Sequence, residues 1–176
     1  SRFFEEAYRE AYGEDLLETL PELFWIRKDR SDTAVKYKYF SLVAKLFAEN
    51  FCGQIGAWCG QNGISLTGHL LREPTLEGQT ITCGEVMRGY GAFGIPGIDM
   101  LCDAVELTTA KQTQSAVHQY GKEGMLSELY GVTGWSFDFR GHKFQGDWQA
   151  ALGVTVRVPH LAWVSMAGEA KRDYPA

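Results

Sequence analysis

Four short apolar runs, with longer stretches of helical periodicity between them, set the limits on what this chain can fold into. The runs occupy residues 64–71 (ISLTGHLL), 95–101 (IPGIDML), 124–129 (GMLSEL) and 154–158 (VTVRV). They begin roughly 25 to 30 residues apart, which leaves room for one helix and two loops between consecutive strands. Strands alternating with single helices at that spacing imply βαβ crossovers and a parallel sheet, hence an α/β fold. The helical stretches fall near residues 82–92, 108–120 and 144–152, with Gly121 and Gly153 closing the last two.

Ahead of the first run the chain reads as helical. Residues 2–12 have helical composition and stop at Gly13, where the backbone can turn left-handed. Asp15 starts a short second helix that Pro21 interrupts. From residue 34 to 62, Tyr39, Leu42, Val43, Leu46, Phe47, Phe51, Ile55 and Trp58 recur at threes and fours, predicting one long amphipathic helix whose stripe is core. Gly53, Gly56 and Gly60 on that helix imply close packing against a neighbour or a break near residue 53. Trp25, Trp58 and Trp148 lie in helical patterns and read as packing residues. The chain thus divides into an N-terminal helical segment, 1–33, and a series of β/α units, 34–176.

With 176 residues, of which 45% are hydrophobic and 13% aromatic, the chain can bury a sizeable core. Its net charge of −5 and scattered Lys and Arg exclude the basic stripe that nucleic acid or an anionic membrane would require. No apolar run approaches the roughly 20 residues of a membrane span, and residues 1–12 lack a secretory pattern, so the chain reads as soluble. Cys52, Cys59, Cys83 and Cys102 form no CxxC pair and no zinc-type cluster with histidine, which predicts reduced core thiols. The glycine-rich GYGAFGIPG at 89–97 precedes a strand instead of following one, so it does not suit phosphate binding. There is no GxSxG elbow for a serine nucleophile.

The strand ends carry the chemistry. In a parallel sheet all carboxyl ends lie on one edge, and ligands of α/β folds bind beyond that edge. Here the ends bring in His69 with Arg72 and Glu73, then Asp99, then Glu128 with Tyr130 and Trp135, then His160 with Trp163. Three carboxylates, two histidines and nearby aromatic rings suit a carbohydrate: aromatic faces stack on the C–H surface of a sugar, and polar groups bind its hydroxyls. Two carboxyl groups flanking a glycosidic bond could hydrolyse it. Each residue also has a structural alternative. Glu128 could salt-bridge a loop, His69 could be a satisfied buried histidine, and Asp99 could accept a backbone N–H.

The series Gly68-His69 with Glu73, Pro96-Gly97-Ile98-Asp99, Glu128-Leu129-Tyr130-Gly131 with Gly134-Trp135, Lys143 with Asp147-Trp148, and Gly153-Val154 leading to His160 resembles the catalytic barrel of large bacterial glycoside hydrolases. It is similar in particular to α-L-rhamnosidase-like proteins, and residues 168–175 (GEAKRDYP) resemble the segment after their late barrel strands. The resemblance implies a (β/α)8 TIM-type barrel that cleaves O-glycosyl bonds in an oligosaccharide, with Glu73 and Glu128 as the matching carboxylates. Burial ahead of Pro74 would keep Glu73 protonated as the general acid. Hydroxyls of Ser127 and Tyr130 would keep Glu128 ionised, as base or nucleophile. His69, Asp99, Tyr130, Trp135, His160 and Trp163 would contact the substrate. No cofactor is required, although Asp99 and neighbouring carboxylates would permit a divalent cation such as calcium.

A full barrel needs about 250 residues and eight β/α units, and four units can be counted here. A half barrel is therefore expected, a piece of a larger enzyme, with uncovered sheet edges that would drive self-association. The competing expectation is a catalytically silent carbohydrate-binding or structural fragment of such an enzyme.

Overall fold

All four apolar runs enter one sheet, and its strands follow the order of the chain. The computed structural model describes residues 2–26, 28–29, 32–100, 104–134 and 136–161. Strands β1 (Thr67–Gly68), β2 (Ile95–Met100), β3 (Leu126–Leu129) and β4 (Val156–Pro159) lie in the order β1-β2-β3-β4, and every neighbouring pair is parallel. Sequential order matters, because right-handed crossovers between consecutive neighbours place each connecting helix on the same face. A doubly wound sheet would reverse its order part-way and place helices on both faces. The result is a four-stranded, curled half-barrel sheet. β1 is much shorter than the 64–71 run: Gly68 adopts φ +134°, and the chain turns from Leu71 onward, so only two residues join the ladder.

Ahead of the sheet come α1 (Arg2–Tyr12) and two single turns, α2 (Leu16–Thr19) and α3 (Pro21–Phe24). Gly13 terminates α1 at φ +68°, and the Asp15 side chain caps α2 by accepting from Leu17 N at 2.9 Å. Tyr8, Leu16 and Leu42 form a small core that fastens this helical segment to α4 (Asp32–Phe47). One continuous helical rod then runs from α4 through a π-helical turn (Ala48–Gly53) into α5 (Gln54–Gln61). The π turn holds more residues per turn than an α-helix, so it rotates everything beyond it about the axis. Cys52 and Cys59 face inward as a result, whereas Phe51, Ile55 and Trp58 are exposed. The stripe is core only in its first half, and Trp58 is not a packing residue; nor is Trp25, which is 66% exposed. Gly56 packs closely, since a Cβ there would meet the Ala92 carbonyl oxygen at 2.4 Å, while Gly60 has open space.

The region near residues 82–92 forms two short helices, α6 (Leu76–Cys83) and α7 (Val86–Tyr90), separated at Gly84. Cys52, Leu70, Cys83, Val86, Tyr90, Phe93 and Ala116 pack together around the exit of β1. Helices α8 (Leu107–Gln119) and α9 (Phe139–Ala151) cover the outer face, where Ile98, Met100, Ala110, Met125 and Val154 meet Trp148 and Leu152. Trp148 is thus a packing residue, as its helical position implied. Cys52, Cys59 and Cys83 are buried free thiols, and Cys102 falls outside the described residues.

Candidate functional site

Alternation along a strand decides which side chains can meet at the carboxyl edge. Ile98 and Met100 point to the helices, so Asp99 points to the other face. Register pairs Asp99 with Glu128, which places both carboxylates on that inner face of adjacent strands. His69 follows β1 directly. Its Nε2 lies 3.8 Å from Asp99 Oδ2 and 4.0 Å from Glu128 Oε2. All three side chains are partly exposed, so a solute can reach them. His69 Nδ1 and Asp99 Oδ1 are shielded from solvent and have no hydrogen-bond partner among the described residues.

Glu73 was expected to donate a proton to substrate, and the structure encloses it. The residue is 3% exposed. Its Oε1 accepts from Leu70 N at 3.4 Å and lies in a short contact with the Tyr90 hydroxyl, while Oε2 accepts from Asp99 N at 3.1 Å. Both oxygens are thus engaged from within the protein. Burial pushes the carboxyl above its ordinary value, against hydrogen bonds from Tyr90 and Asp99 N and the charge of His69, which favour ionisation. The Tyr90 phenol is pushed up too, by burial and then by the neighbouring Glu73. Hydrogen counting points the same way. The Tyr90 oxygen lies within bonding distance of Glu73 Oε1 and, at 2.9 Å, of the Gly97 carbonyl, yet a phenol has one proton. Both contacts are satisfied when Glu73 carries a proton and donates it to the phenol oxygen, freeing the phenol to donate to Gly97 O.

The remaining expected residues are distributed more widely. Ser127 points to the helix side at 0% exposure and donates to the Glu128 backbone carbonyl at 3.3 Å. Tyr130 packs its ring on His142, with centroids 4.6 Å apart, and its hydroxyl abuts Gly146 on α9. Neither hydroxyl reaches the Glu128 carboxylate, contrary to expectation, because alternation sends Ser127 outward and the chain bends after β3. His160 extends the β3–β4 ladder by one bond, N to Leu129 O at 2.8 Å, and its Nδ1 lies 3.2 Å from Leu161 O. Trp135 and Trp163 fall outside the described residues.

Backbone strain marks the same edge. Arg72, Tyr130 and Val132 are the non-glycine residues with positive φ among the described residues, and all three lie in loops leaving β1 or β3 at their carboxyl ends. Val132 at φ +62° is the most costly, because its branched Cβ crowds the left-handed conformation. Strain of this kind collects at functional sites, where surrounding contacts hold it in place.

One nitrogen and two carboxylate oxygens, from His69, Asp99 and Glu128, lie within 4.8 Å of one another. Such a mixed set suits an ion that accepts imidazole. Calcium is a poor fit, since it takes six to eight oxygens and two carboxylates supply only a few of them. Sequence reasoning missed Tyr90. Its helical position reads as packing, and its bond to a residue 17 positions away becomes visible only once the fold is formed. Comparison with protein-family models, with curated proteins and with solved structures gives no match. The site therefore rests on its geometry.

Proposed function

We propose that the chain is part of an α-L-rhamnosidase-like glycoside hydrolase, a (β/α)8-type catalytic barrel in which Glu128 is a reacting carboxylate. The observation that carries this is the convergence of His69, Asp99 and Glu128 at the carboxyl ends of three adjacent parallel strands. That edge is where barrel enzymes bind and transform their ligands. Sugar hydroxyls both donate and accept, which matches two carboxylates and an imidazole, of which His69 Nδ1 and Asp99 Oδ1 lack partners among the described residues. Glu128, partly exposed on the inner face, acts on the sugar as base or nucleophile, and His69 and Asp99 bind ring hydroxyls beside it.

The enclosure of Glu73 favours a second reading, in which the cluster grips a sugar without cleaving it. Release of nitrophenol from a panel of aryl glycosides, measured beside equilibrium binding of the free sugars, separates the two. The hydrolase predicts turnover that Glu128→Gln lowers by about 10²-fold to 10⁴-fold while sugar binding survives. A silent binding module predicts saturable binding and no turnover. Absence of both overturns the assignment of this edge to carbohydrate.

A further inference from the structure

Glu73 has no route to a substrate, yet its contacts lead directly to the residues that do. Its Oε2 accepts the backbone N–H of Asp99, the residue whose carboxylate stands 3.8 Å from His69. Its Oε1 meets Tyr90, and Tyr90 in turn reaches the Gly97 carbonyl two residues earlier on β2. Leu70, next to His69, donates to the same Oε1. The side chain therefore ties the exit of β1 to two successive points on β2. Gly97 fits this clamp because it has no Cβ: one placed there would meet the Gly68 carbonyl at 2.6 Å and force β1 away from β2.

We infer that Glu73 and Tyr90 are a positioning pair, which sets His69 and Asp99 at their mutual distance and so shapes the sugar-contacting cluster without exchanging a proton with substrate. The functional part of this inference rests on the carbohydrate reading above; the positional part does not. Glutamine is the informative replacement. Its Nε2 can donate to the Tyr90 oxygen and its Oε1 can accept from Asp99 N, reproducing those two bonds of the protonated acid and giving up only the long 3.4 Å contact from Leu70 N. A residue that transfers a proton to substrate cannot be replaced in this way.

The test uses the ring signals of the four histidines, His69, His118, His142 and His160, by NMR, together with turnover of a natural and an aryl glycoside. Glu73→Gln is expected to leave all four signals and both turnovers near the parent values. Glu73→Ala and Tyr90→Phe are expected to move the His69 signal while His118 on α8 and His142 on α9 stay, and to lower turnover by about 10-fold to 100-fold, as loss of an orienting partner does. Glu73→Gln acting as the buried acid's equal supports the pair even if Glu73→Ala fails to fold. Loss of about 10²-fold or more for Glu73→Gln on the natural glycoside, with His69 unmoved, would make Glu73 a proton donor and overturn the inference. So would a His69 signal indifferent to all three variants. If no glycoside is turned over by the parent, the carbohydrate reading fails, and the histidine signals still decide the positional claim.

Discussion

Burial and hydrogen bonding pull the Glu73 carboxyl in opposite directions, and burial wins, raising it above the ordinary carboxyl value. A folded state that holds this proton more tightly than the unfolded chain is most favoured in acid. Stability from this group is therefore complete below the unfolded value of about 4.3 and is lost as pH rises through the folded value. Glutamine cannot ionise, so the stability of Glu73→Gln relative to the parent should be near zero at acid pH and increase in favour of the variant as pH rises. Urea midpoints across that range check it, and a difference independent of pH would contradict it. The upward pull of burial on the Glu73 carboxyl was legible in the sequence, from its place after an apolar run and before Pro74. Its role was not, because that depends on Tyr90 and Asp99 N, which only the parallel pairing of β1 and β2 brings to it. His69, Asp99 and Glu128 could be grouped from the sequence, since the ends of parallel strands lie on one edge.

At the scale of elements, the strands were legible, an irregularity near residue 53 was one of two readings of its glycines, and the break at Gly84 was not legible. Apolar runs with turn residues at both ends locate strands well, whereas a π turn in the middle of an amphipathic rod leaves the apolar spacing almost unchanged while turning the later face outward. The break at Gly84 has a clear physical cause. The residue stands at φ +82°, and a Cβ there would lie 2.5 Å from Ala44 Cα, so α6 ends where it crosses α4. Gly84→Ala should lower stability by about 3 kcal/mol, combining left-handed strain with displacement of a helix backbone. Gly60→Ala makes the control: nothing lies within 4 Å, and removing backbone freedom from α5 should raise stability by about 0.5 kcal/mol. Thermal or urea unfolding of the two variants measures both, and a Gly84→Ala protein as stable as the parent would contradict the packing of α6 on α4.

Across the whole molecule, a half-barrel sheet leaves much unpaired. Among the described residues β1 and β4 each have one neighbour, and Val158 on the inner face is 43% exposed. Removing apolar surface from water yields about 25 cal/mol for each Å², so exposed edges and an open inner face favour association. Sedimentation velocity at micromolar concentration should therefore show species larger than the 19.7 kDa monomer; a single sharp monomer would contradict this expectation. The central claim is that sugars are handled at the carboxyl edge by His69, Asp99 and Glu128. A crystal structure with a bound glycoside or its sugar product tests it most directly. The account predicts ring hydroxyls within hydrogen-bond distance of Asp99 and Glu128 and beside His69, with Glu73 still enclosed by Tyr90. A sugar seated elsewhere, for instance in the cleft of about 420 Å³ lined by Phe137, Arg140 and Phe144, with the three-residue cluster untouched, would contradict it.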